Sequence, residues 1–183
     1  AGDLLEVYDQ QLAAFGQEVT GRRTAYLEAL TPLAVENYRR ISQGREELNL
    51  AYKATFEGSL LEAYRRLRPA ELRAGFCLAG PHREDLEVLL DGQPARVYGS
   101  QGQQRSAVLA LKLAEATQAE AVTGEHPVML LDDVLSELDD ARQNYLLTRM
   151  TGKQVFVTAC DSAAFGRAEG RVYRLECGAV TQA

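Results

Sequence analysis

Apolar residues recur at helical spacing through the first third of the chain. Leu5, Leu12, Val19 and Tyr26 return every seven residues, with Tyr8 and Phe15 between them. A two-position seam of this kind is what antiparallel helix pairs and short coiled coils bury, and one amphipathic helix lying on a globular core gives the same pattern. Thr31-Pro32 sets a capping hydroxyl before proline, which predicts a helix restart. Leu33, Tyr38 and Ile41 then face the partner until Gly44 ends the helix. Beyond Gly44 the period shortens. Leu48, Leu50 and Tyr52 alternate with polar residues and predict a strand. Leu60 to Leu67 reads as a short helix stopped before Pro69, and Phe76 to Ala79 as a strand running into Gly80-Pro81. Leu86 to Leu90, the Asp91-Gly92 turn and Ala95 to Tyr98 read as a β-hairpin.

The remainder alternates. A helix from Gln101 to Val122 precedes an apolar strand, Val128 to Leu131, and a helix from Glu137 to Met150 precedes the strand Gln154 to Thr158. Strand, helix and strand in that order imply an α/β fold with a mostly parallel sheet and covering helices. Val172, Tyr173, Leu175 and Val180 suggest a closing pair of short strands. The expected organisation is a helical arm over residues 1–45 and an α/β lobe over residues 46–183.

Composition adjusts this picture only slightly. The 183 residues suffice for one well-buried domain or one domain with an appendage. No apolar run approaches the length that crosses a bilayer, and no signal peptide is visible, so no membrane is expected. Three scattered cysteines, Cys77, Cys160 and Cys177, lack metal-ligand spacing and suit a reducing cytoplasm. The chain opens abruptly on Ala1 in helical sequence, which raises the expectation of a segment of a longer protein. A formal charge of −6 gives no global attraction to nucleic acid, although a local basic face is compatible with it.

Three stretches carry candidate chemistry. In VMLLDD, Val128 to Asp133, two carboxylates emerge from a buried strand, and ligands of open α/β sheets bind beyond the carboxyl ends of strands. Adjacent strand residues point to opposite faces, so Asp132 and Asp133 have different work. One can hold Mg²⁺ while the other orients water at a γ-phosphate; an acidic turn capping the next helix is the structural alternative. In SQGQQRS, Ser100 to Ser106, small polar residues open the long helix, whose unpaired N–H groups suit a phosphate. Gly102 lets the backbone approach an anion, Ser100 and Gln103 add side-chain donors, and Ser100 is equally a plain N-cap. In SELD, Ser136 to Asp139, a hydroxyl and an acid three positions on have the form of a capping box.

Their order is that of signature motif, Walker B and D-loop in ABC-type ATPases. GSQGQQRS followed by LKLAEA and LLDDVLSELD, with GPHRED at Gly80 to Asp85, resembles the RecF DNA-repair family of SMC-like ATPase heads. The resemblance runs from Gly80 to Thr158 and implies the C-terminal lobe of a P-loop head carrying a helical arm. In such heads two subunits sandwich two nucleotides. By that resemblance Asp132 holds Mg²⁺ through water, and Asp133 polarises the attacking water. Ser100, Gln101, Gly102, Gln103 and Gln104 meet the γ-phosphate of ATP bound to the opposite subunit, and Ser136 and Asp139 lie at the dimer interface. ATP then acts as the glue of a homodimer. DNA is the implied partner, at single-strand gaps and junctions with duplex, together with a RecR-type mediator that helps load recombinase.

The match departs from the family in two places. No G-x-x-x-x-G-K-[ST] loop occurs, so the N-terminal lobe that grips the β- and γ-phosphates is expected as a partner. The isolated chain is expected to bind ATP poorly and hydrolyse essentially none. After the strand ending at Thr158, Ala159-Cys160-Asp161 stands where many ABC ATPases place a sensing histidine, which predicts slow hydrolysis in the complete protein. His126 reads as a loop residue. His82 and Arg83, in the family-like GPHR segment, either contact DNA or the other lobe or anchor their own loop. The paired residues Arg22-Arg23, Arg39-Arg40 and Arg65-Arg66 are candidate phosphate contacts, and each is also an ordinary solvated helix face. Another SMC-like head and a non-catalytic binding module remain as alternatives.

Overall fold

The computed structural model describes residues 2–135, 138–150, 152–160 and 170–182. Its first element is one helix of 40 residues, α1 (Gly2–Ile41), and the restart expected at Thr31-Pro32 does not occur. Proline there removes one backbone donor, the bond to the Glu28 carbonyl. The Thr31 hydroxyl satisfies the adjacent Leu27 carbonyl at 2.6 Å. Leu30, Ala34, Tyr38 and Ile41, spaced one helical turn apart, are buried on both sides of that gap and hold the helix in line. Gly44, in the left-handed region at φ 73°, ends the helix by donating its N–H to the Arg39 carbonyl at 2.8 Å.

The apolar seam of the arm is not buried within this chain. Leu5, Tyr8, Leu12, Phe15, Val19 and Tyr26 are all exposed. The face of α1 turned inward carries small residues, Ala13 and Gly16 among them. It meets α2 (Leu60–Ala74) through a separate cluster of Ala13, Leu60, Ala63, Tyr64 and Ala79. Helix α2 also runs past its expected stop at Pro69. Ser59 caps its start, and Gly75, in the left-handed region, closes it onto the Glu71 carbonyl.

β1 (Leu48–Lys53) pairs antiparallel with β2 (Asp85–Leu90), Leu48 opposite Leu90 and Tyr52 opposite Leu86. Asp91 and Gly92 both take positive φ, the geometry of a type I′ turn, and β3 (Gln93–Pro94) returns along β2. The expected second hairpin arm stops there: Ala95–Tyr98 is the short helical turn α3. Only Ala95 is buried, and Val97 and Tyr98 face water, so a strand there had no apolar face to bury. The segment Phe76 to Ala79 is likewise a loop. The Leu78 N–H goes to the Glu71 carboxylate and the Gly80 N–H to the Thr55 hydroxyl, so side chains take the place of a strand ladder.

The second half matches its expected order. α4 (Gln101–Thr123) ends at left-handed Gly124; β4 (Met129–Leu131), α5 (Asp140–Arg149) and β5 (Val155–Val157) follow. β4 and β5 are parallel, Met129 opposite Val155 and Leu131 opposite Val157. β6 (Tyr173–Glu176) and β7 (Ala179–Gln182) form the closing antiparallel pair. The main core joins the C-terminal half of α1 to Ala107, Ala110, Leu113 and Ala114 of α4 and to Met129, Leu131, Leu135 and Leu146. The alanines on α4 and Ala34 on α1 let the two helix backbones approach closely. No helix among the described residues is long and apolar enough to cross a membrane.

Candidate functional site

The parallel pair β4 and β5 brings one residue against both acids. The Thr158 N–H bonds the Leu131 carbonyl at 2.9 Å, and the Asp133 N–H bonds the Thr158 carbonyl at 3.2 Å, so the ladder continues past both strands. The Thr158 hydroxyl donates to Asp132 Oδ1 at 2.5 Å and accepts from the Asp133 N–H at 3.0 Å. Asp133 lies at φ 50°, in the left-handed region that aspartate tolerates better than most residues. The two carboxylates are therefore parted by a turn beyond the strand end, not by strand alternation as the sequence suggested. Both are exposed. Two exposed carboxylates are a hard, oxygen-only donor set. That set fits Mg²⁺, which binds through one or two carboxylates and keeps several waters. No group of three or more metal-ligating side chains occurs among the described residues.

The Ser100 to Gln104 stretch is a capping box. Ser100 Oγ accepts from the Gln103 N–H at 3.2 Å, and Gln103 Oε1 accepts from the Ser100 N–H at 2.6 Å. Gln104 Nε2 donates to the Gly99 carbonyl at 2.8 Å. The side chains of Ser100, Gln103 and Gln104 are thus engaged in holding the turn, and Gln101 is exposed at its tip. Gln103 reaches further: its Nε2 donates to Glu46 Oε1 at 2.9 Å, while Glu46 Oε2 accepts from the Tyr38 hydroxyl at 2.5 Å. The long arm helix is thereby tied to the opening turn of α4.

Burial first, and then bonds to carboxylates, push the phenols of Tyr38 and Tyr52 above their ordinary value of 10.0; Tyr64 is raised by burial and nearby acidic groups. A group raised in the folded state favours folding fully below its unfolded value, and that contribution is lost as pH rises through the folded value. Stability is expected to fall progressively as pH rises above about 10. Tyr38→Phe is expected to flatten that fall, as read from urea midpoints across the range.

The acid of SELD that is described, Asp139, is the N-cap of α5; Ser136 lies outside the described residues. Asp139 Oδ1 accepts from the Arg142 N–H at 2.9 Å, and Arg142 Nη1 stands 3.8 Å from Asp139 Oδ2. Asp139 therefore caps this helix. Arg142 Nη1 also lies 3.2 Å from where a Cβ on Gly102 would stand, so the Asp139 cap and the opening turn of α4 meet across one guanidinium. Gln143 Nε2 donates to the carbonyls of Leu135 at 2.8 Å and Leu138 at 3.0 Å, clasping the ends of the intervening loop.

In the GPHR segment, Arg83 folds back on its own loop. Its Nε donates to the Cys77 carbonyl at 3.0 Å, and its guanidinium lies over the Phe76 ring, 4.5 Å from the centroid. His82 lines a surface cavity of 430 Å³ with Arg23, Tyr26, Tyr52, Glu84 and Asp85. Beneath it the Glu84 side chain is fully buried. It accepts from the Thr20 hydroxyl at 2.9 and 3.1 Å and from the Tyr52 hydroxyl. Arg23 donates to the Pro81 carbonyl at 2.6 Å and stands 3.9 Å from Glu84. The other basic positions have acidic neighbours of their own. Arg22 pairs with Glu18, Arg39 and Arg40 share Glu36, and Arg65 pairs with Glu6; Arg66 is exposed beside Arg65. Hydrogen bonds from Arg39 and then Arg40 hold the Glu36 carboxyl down at about 2.

Sequence reasoning missed Thr158, Glu46, Arg142 and Gln143. Thr158 had a signal, its place at the carboxyl end of the strand expected to lie beside VMLL. Glu46 had none, because its role depends on how the α1 terminus meets α4.

An arm helix packed on an α/β lobe, with a capped SQGQQ turn, a carboxylate pair beyond a parallel strand and an aspartate capping the next helix, has the fold class of ABC/SMC-like ATPase heads. A solved structure described as concerning ATP-driven dimerisation of SMC ATPases shares this fold at TM-score 0.56 and 15% identity, covering 89% of this chain and 87% of that one. No family profile matches the chain. The DNA replication and repair protein RecF of Heliobacterium modesticaldum is 41% identical over 192 aligned residues, covering 97% of this chain and 52% of that protein. RecF of Rippkaea orientalis is 46% identical over 165 residues, covering 84% and 43%. The recombination mediator RecF solved with ATP superposes at TM-score 0.81 with 36% identity, over 99% of this chain and 50% of that one. This chain belongs to the RecF family, as its C-terminal portion. It spans about half the length of the relatives it matches.

Proposed function

We propose that this segment serves an ATP-dependent DNA-repair dimer of the RecF type, supplying the Walker B edge of its own nucleotide site and the signature face of its neighbour's. The observation that carries this reading is the Asp132-Asp133 pair beyond the parallel β4, tied by Thr158 to the adjacent strand. ATP with Mg²⁺ supplies the phosphoanhydride bond and the charge that a hydrolytic site must stabilise. Asp132 presents a carboxylate to the metal's water shell. Asp133, the next residue, orients and polarises the attacking water. The turn from Ser100 to Gln104 offers helix-terminal N–H groups to the γ-phosphate held by the opposite subunit. Asp139, with Ser136, sits at the dimer interface. Residues 1–45 act as an arm and residues 46–183 as the catalytic lobe, completed by a Walker A lobe. The dimer acts on DNA at single-strand gaps and duplex junctions, and a RecR-type mediator helps it load recombinase. Within this reading, Arg22 and Arg66 are better phosphate contacts than Arg23, which is engaged with Pro81 and Glu84.

The test uses complete polypeptides that join this segment to a Walker A lobe. Asp133→Asn homodimers and Ser100→Arg homodimers should each lose ATP turnover while keeping their fold. Mixing the two should restore turnover, because one composite site then has an intact Walker B edge and an intact signature face. Silent mixtures, in dimers proved by crosslinking to have exchanged subunits, would mean that the signature turn does not act across the dimer.

A further inference from the structure

We infer that Thr158 is a positioning residue of the nucleotide site, setting the Asp132 carboxylate for its divalent cation and fixing the turn that carries Asp133. The inference rests on the metal role given to Asp132 above. Two separate sets of contacts converge on this residue. Its backbone extends the β4–β5 ladder, through the bonds to the Leu131 carbonyl and from the Asp133 N–H, so the Thr158 Cβ is placed by the sheet. Its hydroxyl then spans the two acids, donating to Asp132 Oδ1 at 2.5 Å while accepting from the Asp133 N–H at 3.0 Å. A hydroxyl can give one bond and take another at the same oxygen, which a methyl of the same volume cannot.

The consequences for the two acids differ. The bond at Asp132 Oδ1 restrains rotation of the carboxylate and presents it in one orientation, as hydrogen bonds behind a metal ligand commonly do. At Asp133 the bonds fall on the backbone of a residue in the left-handed region, φ 50°. The one N–H of Asp133 is shared between two acceptors of Thr158, its carbonyl and its hydroxyl. β-branching adds to the effect, because Thr has few χ1 choices on a strand. Serine preserves the hydroxyl without that stiffness, and valine preserves the shape without the hydroxyl.

The experiment uses a complete polypeptide joining this segment to a Walker A lobe. Mn²⁺ binding to the ATP-loaded protein is titrated by electron paramagnetic resonance, alongside metal-free ATP affinity and the thermal midpoint. Thr158→Val should weaken Mn²⁺ binding by about 10- to 100-fold. Metal-free ATP affinity should stay near wild type, and Thr158→Ser should recover most of the loss. Should Thr158→Val unfold the protein, Thr158→Ala read against Thr158→Ser gives the same comparison. Wild-type Mn²⁺ affinity in folded Thr158→Val, or equal weakening in the serine and valine variants, would overturn the inference. Asp132→Ala separates the two layers. If it abolishes Mn²⁺ binding while Thr158→Val keeps wild-type affinity, the positioning role alone fails; if it leaves Mn²⁺ binding intact, the metal role and the positioning role fall together.

Discussion

Replacing Glu84 with alanine is expected to destabilise the protein by about 3 kcal/mol. The carboxylate has no solvent exposure, and the Thr20 hydroxyl, the Tyr52 hydroxyl and the Arg23 guanidinium all converge on it. Truncation strands two hydroxyl donors in a site shaped for an acceptor. Arg23 is the lesser loss, because its side chain is 47% exposed and stays bonded to the Pro81 carbonyl. Glu84→Gln, which keeps an acceptor oxygen, should cost about half as much. Urea unfolding followed by circular dichroism in a complete polypeptide measures both. A loss below about 0.5 kcal/mol for Glu84→Ala would mean that these contacts do not bind the arm to the segment 80–85.

The second large effect is on turnover and runs opposite to stability. Gly102 is the second residue of α4, in its first turn, where helix propensity weighs less than in the interior but still favours alanine over glycine. A Cβ there would stand 3.2 Å from Arg142 Nη1. Arg142 is only 15% exposed and braces Asp139, so it has little room to retreat. In a complete polypeptide that joins this segment to a Walker A lobe, and within the function proposed above, Gly102→Ala should leave the thermal midpoint unchanged or slightly higher while slowing ATP turnover. Gly102→Val should displace the guanidinium outright and reduce turnover by about a hundredfold, the scale that follows from an ångström of misplacement near reacting groups. Wild-type turnover in Gly102→Val would show that contact between signature turn and D-loop has no part in catalysis.

Much of the second half was legible because its signals are local. The capping residues of α4, the apolar run of β4 and the carboxylates after it act within a few residues of one another, so their order in the chain is their order in space. Thr31-Pro32 misled because a proline inside a helix loses one backbone bond, and burial on both flanks outweighed it; at Pro69 the helix runs on for one more exposed turn, which Gly75 closes onto the Glu71 carbonyl. Ala95 to Tyr98 misled because alternation predicts a strand only where a sheet face is available to one side. At the site, the acids and the signature turn could be named from sequence. Glu46 and Arg142 could not, since each takes its role from a neighbour far along the chain; Thr158 was marked only by its place at the end of the strand beside VMLL.

Helix α1 makes its own connections unequal. About 1.5 Å of rise per residue separates Leu30, in the main core, from Tyr38 by about 12 Å and from Tyr8 by about 33 Å. If Leu30 is the fulcrum, the outer arm has a mechanical advantage of about three over the inner one. A shift of about 0.3 Å at the Tyr38 hydroxyl, roughly the spread of a good hydrogen bond, corresponds to about 0.8 Å at Tyr8. In reverse, a swing of the outer arm reaches Glu46 and Gln103 scaled down but in step, so the beam that carries the exposed stripe is geared to the turn that opens α4.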